Sequence, residues 1–373
     1  MPEKVVSIDC RMIRHSGIGT YIRAMTPRIF KELADWKFYC LGPVRLLEKE
    51  ACLKSPNSEI VPCDAPIYSI QEQFKLPLSI PSRVQLHWSP HYNVPALYNG
   101  KLVTTVHDLF HRSMPQYVKG LHKQFYAKTM FEIVRRKSVK VFAVSQFVKE
   151  EILRHTYDPK DPFAEKVKVI YNGVEGRFLT APKSTRSPLE SPYLLFMGNL
   201  KPHKNLMRTL KAFEKIRQEG HPDLKLVLMG KKDGFITGDQ ELLGEVSAKE
   251  DSVLMTGEIS QDSEEFFAYI DHAKLLVMPS LYESFGLPAL EGLARGVPAL
   301  VSNVTAMPEV YKDCAYFCDP LVEESIRDQI HKALDESGSP AQQKMLDSGK
   351  RLAEETNWDK AAQAVIQELK QLI

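Results

Sequence analysis

The 373-residue chain has no apolar run near the ~18–20 residues that cross a bilayer, which argues against a helical membrane protein. Its first residues, MPEKVVSIDCRMIRHSG, carry charges where a signal peptide has its apolar stretch, so no export signal is expected. Cysteine is sparse and scattered, at positions 10, 40, 52, 63, 314 and 318. Only Cys314 and Cys318 are close together, and no second pair supplies zinc-ligand spacing. All six are expected to be reduced core or loop thiols of a cytosolic protein. No repeat of fixed period and no long low-complexity tract is present, which excludes a solenoid and a disordered chain. What remains, with 43% hydrophobic and 26% charged residues, is an ordinary globular composition.

Charge is present in both signs but unevenly placed. Residues 1–180 carry 27 Lys+Arg against 17 Asp+Glu, and the remainder carries 22 against 30, giving a net +2. A basic half joined to an acidic half implies different partners for each, with anionic lipid or an anionic acceptor suiting the first. Nucleic acid is not expected, because no zinc-finger or RNP-like signature accompanies the charge.

Short apolar runs alternate with amphipathic stretches throughout, the pattern of parallel sheets covered by helices. Strands are expected at 4–9, 84–88, 102–108, 140–145 and 167–172, then at 193–198, 224–230, 252–257, 274–280 and 298–303. Tyr21, Ile22, Met25, Ile29 and Leu33 share one helical face, as do Leu206, Leu210, Phe213 and Ile216. The Pro- and Ser-rich segment APKSTRSPLESP (181–192) separates the two strand series and reads as a linker. The expected architecture is α/β. Two doubly wound domains are expected, 1–180 and 193–356, with a final helix at 357–373.

The most informative stretch is PSLYESFGLPALEGLARGVPALVSN (279–303). Pro288 suits the first position of a helix and Gly296 its C-terminal end. The helix start beside Gly286 would present free amides and a positive dipole end, a ready phosphate site. Glu291, one turn on, could accept hydrogen bonds from a diol, with Glu283 across the loop. A structural alternative stands beside this, since Ser280-x-x-Glu283 also matches a capping box. At MGNLKPHKN (197–205), Gly198 is followed by Lys201, His203 and Lys204, cations that suit a diphosphate at a strand end. LMGKKDG (228–234), with Gly230 and Lys231, closes the next strand in the same way. Near the N-terminus, Gly17 and Gly19 of HSGIGTY precede a helix expected to begin near Thr20. A dinucleotide fingerprint would need a third glycine where the chain has Ile22, so NAD binding is not expected. His107 ends another strand. The stretch 119–140 interleaves Lys119, Lys123, Lys128, Arg135, Arg136 and Lys137 with Phe125, Tyr126, Met130 and Phe131. It reads either as a helix on an anionic membrane or as a packed helix with solvated flanks.

Together these segments resemble the retaining glycosyltransferases of family 4, which have the GT-B fold. Glu283-SFGLPAL-Glu291 resembles that family's E-x7-E element. GIGTY, HDLF (107–110), VSQFVKEEI (144–152), VIYNGV (169–174) and GNLKPHKN (198–205) stand in the family's order. The resemblance implies two Rossmann-like domains facing an interdomain cleft, the first (1–180) acceptor-binding and the second (193–356) nucleotide-sugar-binding, with a C-terminal helix crossing back to the first. It implies a nucleotide-sugar donor, a saccharide or lipid-linked acceptor, no cofactor and no metal. Consistently, no two aspartates are separated by one residue. By resemblance Glu291 binds the donor ribose, while Glu283 and the backbone of Phe285, Gly286 and Leu287 hold the transferred sugar. Lys204 neutralises the diphosphate, Gly19 adds a backbone N–H, and His107 lies beside the reacting face. Many members carry Arg directly after the diphosphate-motif glycine, where this chain has Asn199; either Lys201 or His203 replaces that charge or diphosphate binding is weaker here.

The function so implied is metal-independent transfer of a hexose, mannose favoured, with retained configuration. A UDP-hexose-dependent transferase, a nucleotide-sugar epimerase and a non-catalytic relative are the alternatives. The setting implied is cytoplasmic, or peripheral at the inner membrane face.

Overall fold

The computed structural model describes residues 3–118, 120–156, 162–230 and 240–373. Two compact units divide the chain: residues 1–173 with 357–373, and residues 174–356.

The first unit is built on β1 (Lys4–Asp9), β2 (Trp36–Gly42), β3 (Ser58–Pro62), β4 (Leu86–Ser89), β5 (Lys101–Val106), β6 (Ser138–Ala143) and β7 (Val167–Val169). They form one parallel sheet in the order β3-β2-β1-β4-β5-β6-β7. The central register sets Ile8 opposite Cys40 on one side and Trp88 on the other. Because both faces are covered, β1 and β4 are almost wholly buried, polar Ser7, Asp9, His87 and Ser89 included. The order reverses between β1 and β4, so the crevice at the carboxyl ends of those strands is the ligand position of this architecture.

The second unit carries β8 (Tyr193–Met197), β9 (Lys225–Met229), β10 (Val253–Gly257), β11 (Leu275–Met278), β12 (Ala299–Ser302) and β13 (Tyr316–Cys318). This parallel sheet runs β10-β9-β8-β11-β12-β13, with its reversal between β8 and β11. The helix Leu206–Gln218 buries Leu206, Leu210, Phe213 and Ile216 in the core on this sheet. Each such side chain contributes ~1.5–3 kcal/mol of burial free energy.

The final helix, Trp358–Leu372, belongs to the first unit. Asn357 caps it by accepting the Lys360 amide at 3.0 Å. Its Trp358 ring stands edge-on to Tyr21, centroids 5.8 Å apart. Arg28 donates to Asp359 at 2.7 Å on the same pair of helices.

Two expectations are corrected. The division between units falls at 173/174, ahead of the segment 181–192 read as a linker. That segment starts out bound to the second unit, because Arg295 donates to Ala181 O at 2.7 Å and Pro182 O at 3.0 Å. Arg295 is itself held by a buried two-pronged pair with Asp271, at 2.7 and 2.6 Å. The second correction concerns the first helix, which begins at Ser16 and not near Thr20. Of the two readings of 119–140, the helix Leu121–Lys137 matches the packed one, with Met130 and Phe131 buried in the core and Phe125 exposed. Exposed apolar residues also line the helix Ile70–Ser79, where Ile70 (83%), Phe74 (57%) and Leu78 (85%) repeat every fourth position.

Candidate active site

In the second unit the loops after β8 and β11 meet at the switch point. The chain leaves β8 through Gly198, whose φ of 122° suits glycine and whose amide donates to Met229 O at 2.9 Å. Gly230 ends the neighbouring β9, and a Cβ there would sit 2.1 Å from Gly198 O. Gly230 thus permits close backbone approach between the two strand ends, while Gly198 supplies the positive φ. A short turn, Pro202–Lys204, follows and ends on Asn205 in the left-handed region, φ 63°. Asn205 is fixed by its own amide, which donates to Pro279 O at 3.0 Å and Pro320 O at 2.6 Å.

This clamp presents Lys204 to the loop after β11, where its Nζ forms an ion pair with Glu283 Oε1. Ser280 donates to the same carboxylate oxygen at 2.8 Å, and the Glu283 amide donates to Thr305 Oγ1 at 3.2 Å. No helix starts at Ser280, so the capping-box alternative fails; the two side chains bond each other instead. The helix starts at Leu287, with Gly286 as its N-terminal cap (φ 80°) and Pro288 in its first turn. Tyr311 donates to Gly286 O at 2.5 Å and holds that conformation. Phe285 is buried, so only its backbone is available here. The Leu287 amide precedes the first intrahelical bond and points out of the helix end.

Glu291 lies one turn into this helix, partly buried. Burial pushes its carboxyl up to about 8, against the pull of Arg177 and with the help of Glu175. His203 is held neutral, its pKa lowered to about 3 by burial and then by Lys204 and Lys201. It therefore does not replace the charge absent at Asn199; of the two residues named for that role, exposed Lys201 is left, beside Lys204. Lys231 lies outside the described residues.

In the first unit, His107 follows β5 and donates from Nε2 to Pro90 O at 2.9 Å. Burial lowers its pKa to about 4, so the ring is neutral at pH 7 with a lone pair at Nδ1. Tyr21 packs edge-on against it at 4.8 Å. The Gly19 amide is committed within the helix, donating to His15 O at 2.8 Å, so it is not the free donor that the resemblance implied. Glycine is required at 19 for a different reason: a Cβ would lie 2.3 Å from Ile13 O. At Gly17, within the first helical turn, a Cβ would meet nothing within 4 Å. Among the described residues, no group of three or more His, Cys, Asp or Glu is placed to hold a metal ion, and no helix is long and apolar enough to cross a membrane.

The family model for glycosyl transferases group 1 matches residues 178–369, just over half of the chain. The chain belongs to the glycosyl transferases group 1. A second model, Glycosyltransferase Family 4, matches residues 82–176 of this glycosyltransferase. It is 27% identical over 261 residues to O-antigen chain mannosyltransferase B of Escherichia coli, covering 67% of this chain and 65% of the relative. It is 29% identical over 244 residues to O-antigen chain mannosyltransferase RfbU of Salmonella typhimurium, covering 64% and 62%. The matches thus span less than two thirds of either relative. Among solved structures, Anabaena Alr3699/HepE in complex with UDP and glucose has a TM-score of 0.76 at 15% identity, covering 99% of this chain and 100% of that one. Sucrose-phosphate synthase from Thermosynechococcus elongatus has a TM-score of 0.76 at 17% identity, covering 99% of each. These likenesses show the GT-B type of fold, two Rossmann-like domains.

Of the site residues foreseen in this group 1 glycosyltransferase, the structure brings Lys204, Glu283 and Gly286 together and sets Glu291 one turn further along the helix. Sequence reading missed Asn205, Thr305 and Tyr311, which bear on the geometry. Asn205 carried a signal, since Asn is among the few side-chain-bearing residues that accept positive φ.

Proposed function

We propose that the chain is a retaining glycosyltransferase that moves a hexose, mannose favoured, from a nucleoside-diphosphate sugar to a saccharide or lipid-linked acceptor without a metal ion. The observation that carries this reading is the Lys204–Glu283 pair at the β8/β11 switch point, beside the helix start at Gly286. A departing diphosphate needs its developing charge neutralised, and Lys204 with the Leu287 amide answers that need. Glu291 takes the ribose hydroxyls, and Glu283 a hydroxyl of the transferred sugar. His107, neutral, acts as an acceptor at Nδ1. The acceptor oxygen bonds to the anomeric carbon on the face from which the phosphate departs. The carbon–phosphate-oxygen bond breaks, and the leaving phosphate takes the acceptor proton. Mannose is favoured by the names of the two O-antigen relatives.

The same reading places the protein in the cytoplasm, peripheral at the membrane. It is supported by the basic first half and by exposed Ile70, Phe74 and Leu78.

The test is incubation of the full chain with GDP-mannose, UDP-glucose and an extract of lipid-linked saccharides, with and without EDTA. Nucleotide release and product anomer are followed by NMR. GDP release with an α-linked product, unaffected by EDTA, is expected; absence of turnover of either donor sinks the reading.

A further inference from the structure

At the carboxyl end of β1 a chain of buried charges runs outward to one half-exposed ring. Asp9 accepts from Arg11 Nε at 2.8 Å and Nη2 at 2.6 Å, and His91 Nε2 lies 3.2 Å from its Oδ2. Arg11 Nη2 also pairs with Glu72 Oε1 at 2.5 Å. Asp9, Arg11, Glu72 and His91 are all buried. The second oxygen of Glu72 accepts the Tyr68 amide at 3.0 Å. Tyr68 has φ 62°, a conformation that a side chain makes unfavourable and that persists where the surroundings impose it. Its ring is nevertheless 45% exposed, so no core packing explains the strain.

Two further rings surround it. Tyr126 stands edge-on to Tyr68, centroids 5.9 Å apart, and Tyr92 is tilted to it at 6.4 Å. Tyr126 donates to Asn93 Oδ1. Asn93 is fully buried, yet its Nδ2 has no hydrogen-bond partner among the described residues. Gln73 accepts the Ala96 amide at 2.7 Å and turns its NH2 toward the Tyr126 hydroxyl. A buried amide donor such as that of Asn93 is normally satisfied by protein or water. His91 and Asn93 follow β4 and Asp9 ends β1, so the cluster sits at the switch point of the first sheet.

We infer that this cluster is a recognition subsite for a neutral pyranose unit of the acceptor, with Tyr68 as the ring on which the sugar stacks. The inference rests on the transferase reading and deepens it. A pyranose presents a face of C–H groups, which suits the negative face of an aromatic ring, and a rim of hydroxyls. Those hydroxyls, directly or through one water, complete the Asn93 amide. Neutrality follows from the buried charges, two carboxylates against one guanidinium, which disfavour a phosphate or uronate. Burial, then Asp108 and Glu72, also push the Tyr68 phenol up, as expected of a ring beside carboxylates.

The experiment uses the full chain and saturation-transfer NMR with the methyl α-glycosides of mannose, glucose, galactose and N-acetylglucosamine. GDP and UDP binding is measured in parallel. Wild type is expected to bind at least one glycoside, Tyr68→Phe to retain it, and Tyr68→Ala to weaken it by about tenfold. Tyr68→Gly separates function from structure: relief of the positive φ should raise the melting temperature while glycoside binding is lost. Binding of no glycoside by wild type, or equal binding by Tyr68→Ala, overturns the inference. Glycoside binding that depends on Tyr68 in a chain that binds no nucleotide would support the sugar subsite and overturn the transferase reading instead.

Discussion

Leu281 donates its amide to the His203 carbonyl at 2.7 Å, a backbone hydrogen bond that, with the Asn205 amide on Pro279 O, ties the loop after β8 to the loop after β11. It sets the neighbours of these residues, Lys204 and Glu283, within reach of each other, so the cation and the carboxylate have a fixed relation before any substrate arrives.

That relation gives a split between binding and turnover. Lys204→Ala is expected to lower transfer by roughly 10²–10³-fold. It should cost about 1–2 kcal/mol of stability, discounted because the lysine side chain is 20% exposed. Glu283→Gln releases Lys204, so nucleotide affinity should rise while turnover falls. Isothermal titration with GDP and UDP, read beside initial rates, checks both; a rise in turnover would deny Glu283 a role in the reaction.

Gly286→Ala meets two obstacles, a φ of 80° and contacts of a new Cβ at 2.8 Å to Met278 and 2.9 Å to Met307. A cost of about 1–2 kcal/mol is expected from the backbone, with the flexible methionine ends yielding. Denaturant melts would show it, and nucleotide binding should weaken because the helix start shifts.

Glu291 yields a pH prediction. Its folded pKa of about 8 stands above the ordinary 4.5, so the folded chain holds a proton that the unfolded chain releases between those values. The stability it contributes is present below 4.5 and is lost as pH rises through about 8. Glu291→Gln should flatten the stability profile in that window. If the ionised carboxylate takes the ribose hydroxyls, nucleotide affinity falls by up to about tenfold per pH unit below that pKa. The glutamine variant should show no such slope.

The exposed stripe of the helix Ile70–Ser79 predicts lipid binding. Replacing Ile70, Phe74 and Leu78 by Ser should abolish co-sedimentation with phosphatidylglycerol-containing vesicles. Stability should change by no more than about 0.5 kcal/mol per site, because the three are exposed. Pure phosphatidylcholine vesicles should bind wild type weakly, since cations near an anionic surface contribute ~1 kcal/mol each. Equal binding of both vesicle types would remove charge from the account.

Much of the sheet architecture was legible because strands covered on both faces, such as β8, are uninterrupted apolar runs. The strands that escaped differ in composition. β2, WKFYCLG, contains no β-branched residue, and β3 is a half-exposed edge ending in Pro62. β13 is a three-residue edge strand. The chemistry of Lys204 and Glu283 was legible residue by residue, but their pairing across 79 positions depends on β8 lying beside β11. The Asp9–Arg11–Glu72–Tyr68 chain was invisible for the same reason, since 61 positions separate Arg11 from Glu72. Two glycines in a first turn look like loop, which hid the helix start at Ser16.

The discontinuous first unit has a consequence for synthesis. Residues 174–356 form one uninterrupted stretch, so the second unit has all its parts before residues 357–373 are made. The first unit, begun earlier, waits for Trp358 to dock on Tyr21 and is finished only when the helix Trp358–Leu372 leaves the ribosome. A stop codon ahead of Trp358 therefore damages the part of the protein that was made first.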